Sequence, residues 1–162
     1  MTSTPTLHPS PRARGTALAA RFATIARTRM DGVALLHPGL AVQAVGFAPA
    51  VGGGAVGVLV TPWFMNLVWL PLTADDAPAA PGRTQVRVLG GEVFPFIGAY
   101  EDGFGGFEAC SLFSPMHEFV DQAAALATAQ AVLDQLRAAD KAAPTDGGRR
   151  AMLLGRAPEA RR

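Results

Sequence analysis

Ala55-Val56-Gly57-Val58-Leu59-Val60-Thr61-Pro62-Trp63-Phe64-Met65-Asn66-Leu67-Val68-Trp69-Leu70 decides the fold of this chain. β-branched and aromatic side chains dominate the stretch, and Pro62 interrupts it once. Such residues pack well on a pleated surface, whereas a helix interior does not accept a proline. Two strands, Val56–Val60 and Asn66–Leu70, are therefore expected as a hairpin with Thr61–Met65 at its tip. The preceding Gly52-Gly53-Gly54-Ala55-Val56-Gly57 formally matches G-x-G-x-x-G. A dinucleotide site needs those glycines to open a helix that receives a pyrophosphate. Here they lead into Val58-Leu59-Val60-Thr61-Pro62, so they read as the turn before a strand.

Outward from the hairpin, Leu40–Phe47 alternates imperfectly and reads as a strand. Thr73–Gly82 is a loop of Ala, Asp and Pro, and Thr84–Leu89, Val93–Ile97 and Gly105–Leu112 are further strands. Helical patterns flank this block. One is expected after Thr16 as N-cap, with Leu18, Phe22 and Ile25 on one stripe. The other follows Ser114-Pro115, a cap and a first-turn proline, and carries Phe119, Ala123, Leu126, Ala129, Leu133 and Leu136 on one face. Pro144, Gly147 and Gly148 stop it. The order helix, strands, helix gives an α+β fold, an antiparallel sheet covered on one face by an N-terminal and a longer C-terminal helix. Met1–Gly15 reads as a flexible lead, 16–141 as a single domain, and 142–162 as a flexible arginine-rich tail.

Composition narrows the function. The chain has 162 residues, 49% of them hydrophobic and only 17% charged, with a formal net charge of +1. That is enough apolar material for one core, and it rules out disorder throughout. The balanced charge gives no field favouring nucleic acid or an anionic membrane. The longest apolar runs are too short to span a bilayer, so no membrane insertion is expected. The N-terminus has no apolar core of a signal peptide, and the single cysteine fits a reducing compartment, so a cytoplasmic location is the default.

No catalytic set emerges. Cys110 and His117 could form a thiol nucleophile and its base, but no third group orients them. A lone cysteine in an apolar strand reads first as a small buried hydrophobe. His8, His37 and His117 are scattered, and no Cys-x-x-Cys or His-x-x-x-His pair anchors a metal, so neither metal nor cofactor is expected. Glu101-Asp102 and Asp75-Asp76 read as solvated loop charges. Trp63-Phe64-Met65 carries two readings. A strand from Phe64 to Leu70 could bury Met65, Leu67 and Trp69 on one face; alternatively, an exposed set of aromatics and methionine marks a protein contact.

Two segments then suggest a family. Gly57-Val58-Leu59-Val60-Thr61-Pro62-Trp63-Phe64-Met65-Asn66-Leu67-Val68 with Leu70-Pro71, and Cys110-Ser111-Leu112-Phe113-Ser114-Pro115-Met116 with Glu118-Phe119, resemble the HybE family of [NiFe]-hydrogenase assembly chaperones. The resemblance runs from about Phe22 to about Leu136. It implies a cytoplasmic accessory protein, not an enzyme, that binds hydrogenase subunit precursors during maturation. Its implied client is the small-subunit precursor before twin-arginine export, with the large subunit and other maturation proteins as further implied partners. Some members carry a fused rubredoxin module with two cysteine pairs; this chain lacks it, so no iron site carries over. The motif positions Trp63, Phe64, Met65, Asn66, Cys110, Ser111, Phe113 and Met116 become candidates for the client surface. Methionine and aromatic side chains there would adapt to a partly folded client. The alternatives are a thiol or redox maturation factor acting through Cys110, and a structural subunit of a hydrogenase assembly complex.

Overall fold

The computed structural model describes residues 9–142. Eight elements follow in chain order: α1 (Pro11–Arg27), β1 (Gln43–Pro49), β2 (Ala55–Val60), β3 (Met65–Leu70), β4 (Thr84–Leu89), β5 (Glu92–Glu101), β6 (Gly105–Phe113) and α2 (Gln122–Ala142). The strands form one sheet in the order β1-β2-β3-β6-β5-β4, and every neighbouring pair is antiparallel. The expected hairpin is present: β2 and β3 pair from Ala55↔Leu70 to Val60↔Met65. Gly52, Gly53 and Gly54 all have positive φ in the turn before β2, a conformation glycine adopts without steric cost.

The helices do not share a face of the sheet, contrary to the one-sided layering expected from the sequence. Val56, Val58 and Val60 of β2 and Leu67 and Trp69 of β3 pack with Ala125, Ala129 and Leu133 of α2. The alternate residues, Ala55 and Leu59 of β2 and Val68 and Leu70 of β3, pack with Leu18, Phe22 and Ile25 of α1. Successive side chains of a strand point to opposite faces, so α1 and α2 cover opposite sides. All six residues of β2 are buried in consequence. A continuous apolar run in a strand signals cover on both faces, and that signal was present in Ala55–Val60. Gly57 lets α1 approach: its missing side chain leaves room for the Phe47 ring, which also occupies the space beside Gly15 of α1.

Both helices begin elsewhere than expected. Ser10 caps α1, its hydroxyl accepting the Ala13 N–H at 3.0 Å, and Pro11 follows in the first turn. Pro11 therefore belongs to the helix and not to the expected flexible lead, since a proline at the first helical position costs no hydrogen bond. The Ser114–Pro115 bond is cis and lies outside any helix. The cap of α2 is Asp121, whose Oδ1 accepts the Ala124 N–H at 2.9 Å. Met116 and Phe119, expected near the first turns of the helix, instead anchor the intervening loop in the α2-side core. β1 starts three residues later than expected, and a bulge between Val45 and Ala48 accounts for its imperfect alternation. The stop at Pro144, Gly147 and Gly148, the tail beyond Ala142 and the first eight residues of the lead lie outside the described residues.

One polar assembly is built into the α2-side face. Glu108, fully buried, accepts from Arg87 Nε at 2.6 Å and Nη2 at 2.9 Å, and from the Ala79 N–H at 2.7 Å. The Arg87 guanidinium lies 3.8 Å above the Trp69 ring, and Trp69 Nε1 donates to the Gly53 carbonyl at 3.1 Å. A buried carboxylate is tolerated only when its oxygens are satisfied in this way. The assembly ties β3, β4, β6 and the loop before β4 together.

Candidate protein-binding surface

Thr61 shapes the hairpin tip. Its N–H donates to the Phe64 carbonyl at 2.8 Å. Its hydroxyl oxygen accepts the N–H groups of Trp63 at 3.1 Å and Phe64 at 2.9 Å. A threonine side chain bonding its own turn in this way fixes a tight reversal, with Pro62 pre-setting the backbone. Trp63 and Phe64 are thereby turned toward α1 rather than into solvent. Phe64 meets Phe22 of α1 edge-on at 5.7 Å, Trp63 lies 6.3 Å from the same ring, and Trp63 and Phe64 are T-shaped at 5.5 Å. Phe107 joins them through Phe22 at 6.2 Å. Both tip aromatics remain half-buried, so core and surface are each part of their role.

The eight motif positions separate by face. Asn66 and Ser111 are register partners on β3 and β6; they point to the α1 side and stay half-buried and exposed, respectively. With Trp63 and Phe64 they make one corner of the molecule. Met65 and Met116 are fully buried in the α2-side core, which withdraws them from any contact surface in this conformation. Cys110 lies opposite Leu67 on that same side, half-buried, and burial pushes its thiol above the ordinary range. Phe113 packs edge-on against Phe119 at 5.0 Å. Among the described residues no three His, Cys, Asp or Glu side chains come together as a metal site.

His37 was not singled out as a site residue, yet it joins the two motif segments. Its backbone N–H donates to Pro62 O at 2.8 Å in the tip. Its Nδ1 accepts the Gly39 N–H at 2.9 Å, so Nε2 carries the proton that meets Phe119 O at 2.6 Å. The His117 ring stacks on it at 6.4 Å. No local spacing foretells this bridge between residues so distant in the chain.

A second missed feature is larger. α1 covers β1 to β3, the start of β6 and, through Ala99 and the Arg21–Glu101 ion pair, the end of β5, leaving the rest of its side of β5 and β4 open. Phe94 and Phe96 of β5 face α2, so Val93, Pro95 and Ile97 face the open side, next to Val86 of β4. Val86, Val93 and Ile97 are 59%, 64% and 51% exposed, which makes this a patch rather than isolated residues. Its signal was in the sequence. Val93-Phe94-Pro95-Phe96-Ile97 is as continuously apolar as β2, but only one of its faces receives a helix.

The sequence model of the family described as "[NiFe]-hydrogenase assembly, chaperone, HybE" matches residues 13–155. The chain belongs to this family. It is a hydrogenase assembly chaperone of the HybE type. Protein HoxT of Cupriavidus necator is 46% identical over 151 residues, covering 83% of this chain and 84% of that protein. The probable rubredoxin HupJ of Rhodobacter capsulatus is 38% identical over 135 residues; these cover 83% of this chain but 48% of HupJ, so the chain spans about half of that relative. The solution structure of HybE from Escherichia coli shares the fold, with a TM-score of 0.63 and 22% identity over 91% of each chain. Among the described residues of this HybE-family chain, no helix is long and apolar enough to cross a membrane.

Proposed function

We propose that this chaperone binds the small-subunit precursor of a [NiFe]-hydrogenase on the cytoplasmic side, before twin-arginine export, and shields its apolar surface until assembly. The observation that carries the reading is the half-buried aromatic corner of Trp63 and Phe64 beside an uncovered apolar half-sheet. Rigid aromatics held by α1 and the Thr61 turn offer apolar contact area at low ordering cost. The open β4–β5 face extends that area past the tip. The aromatic and sheet surface, rather than methionine, supplies the adaptable contact, since Met65 and Met116 are core. Nothing in this scheme requires bond-making by the chaperone.

Co-production of both hydrogenase subunits with the affinity-purified chain tests the client's identity. Small-subunit precursor retaining its export leader is expected in the eluate, and is expected to leave once the enzyme matures. Retention of the large subunit alone would contradict the proposal. A complex that persists with the mature enzyme would instead mark a structural subunit.

The thiol reading makes its own prediction. Burial pushes the Cys110 thiol above its ordinary range, which disfavours the reactive thiolate, and among the described residues the side chain packs against the apolar core. Cys110→Ser is therefore expected to leave mature hydrogenase activity in cells within about twofold of the parent. Complete loss of mature enzyme with a soluble, folded variant would restore a redox role.

A further inference from the structure

The two ends of the sheet are finished differently. Just before β1, the Gln122 side chain bonds both the N–H and the C=O of Ala41, at 2.9 and 3.2 Å. Arg137 donates to the Gly46 carbonyl at 2.7 Å, and the bulge bends the strand ahead of Pro49. Such devices keep an edge from pairing with another chain. β4 carries less: Asp140 of α2 accepts the Gly90 N–H at 2.8 Å just past its end, and its Val86–Leu89 half lines a cavity with Ala50, Val51 and Gly52 of the β1–β2 turn. It pairs with β5 in unbroken register from Thr84 to Leu89 and contains no proline. Its one charge, Arg87, is taken up by Glu108. Among the described residues no strand lies on its outer side, and Thr84, Gln85 and Val86 are exposed.

We propose that the β4 edge receives an extended segment of the client hydrogenase subunit as a seventh strand. This inference rests on the client reading above and assigns the site where the client's backbone is held. A free edge recognises an extended chain through main-chain N–H and C=O groups, and side-chain neighbours select the sequence. On the open side, the added strand continues a row running through Pro95 and Val86, so its residues there are apolar. Arg83 is exposed beside Thr84, and its side chain has no ion-pair partner among the described residues. It favours an acidic residue at that end of the segment. A second copy of this chain is the rival occupant. A six-residue edge pairing leaves Val93 and Ile97 uncovered and falls short of the roughly 1,000 Å² that a stable interface needs. A client segment can continue across the open face toward Trp63.

Amide hydrogen exchange on the whole chain tests this, alone and then with purified small-subunit precursor or purified large subunit. At about ten times the dissociation constant, outward-pointing amides of the exposed Thr84–Val86 stretch are expected to exchange about tenfold more slowly with the small-subunit precursor. Val86→Lys is expected to weaken that binding about tenfold by placing a charge on the edge, with an unchanged melting temperature because the site is exposed. Protection by the large subunit alone would support the edge and overturn the small-subunit assignment. Binding of either subunit without protection at β4, or no binding at all, would overturn the edge proposal. So would protection that rises with chaperone concentration in the absence of a subunit, which would assign the edge to a second copy.

Discussion

Arg87→Met is expected to destabilise the fold by about 3–5 kcal/mol, because it leaves the Glu108 carboxylate buried without its counter-charge. Glu108 is fully enclosed, and Arg87 supplies two of the three hydrogen bonds that hold it; the third is the Ala79 N–H. The same change removes the guanidinium stacked on Trp69. A chain of this length should then melt roughly 10 °C or more below the parent. Replacing both partners separates the ion pair from simple packing. Arg87→Met with Glu108→Leu is expected to be more stable than Arg87→Met alone, since no charge remains buried. An Arg87→Met variant within about 1 kcal/mol of the parent would show that Glu108 is satisfied by other means.

This assembly illustrates which parts of the molecule were legible in the sequence. The β2–β3 hairpin was, because a β-branched run broken by one proline has a single economical structure. The family was legible for a related reason: the segments around Trp63 and Cys110 are long and unusual in composition. Arg87 and Glu108 gave no sign, since a lone charge within an alternating strand reads as a solvent-facing residue until the sheet order brings β4, β5 and β6 together. The sidedness of the helices was recoverable in principle. Ala55–Val60 is apolar at both parities, which requires cover from two directions, and one helix on each face supplies it. The same logic applied to Val93–Ile97 would have shown an apolar face left open. The helix starts failed on local chemistry: Ser10-Pro11 and Asp121 outcompete Thr16 and Ser114-Pro115 as caps.

The candidate site was legible as two segments but not as a surface. Adjacent residues of a strand face opposite ways, so a motif quoted as a continuous string necessarily mixes core with surface. Met65 and Asn66 show it, one fully buried and the other facing the α1 side. What a string cannot show is that Ser111 lies beside Asn66, or that His37 links Pro62 to Phe119.

Trp63 offers the largest expected effect on function. Its ring is half-buried against Phe22 and Phe64, so truncation removes both a packing contact and the solvent-reaching part of the corner. Packing alone accounts for about 1–2 kcal/mol of stability, less than the cost of emptying a fully buried site. A tryptophan at an interface centre accounts for about 2 kcal/mol or more of binding, roughly thirtyfold in affinity. Trp63→Phe keeps an aromatic ring on Phe22 and should fall between parent and Trp63→Ala in both respects.

Titration of purified small-subunit precursor against the parent chain and Trp63→Ala, beside the denaturant midpoint of each, tests the central claim most directly. The expected result is affinity weakened about thirtyfold in a variant that stays folded and loses no more than about 2 kcal/mol of stability. A folded variant that binds the precursor as tightly as the parent would contradict the assignment of this corner as the client surface.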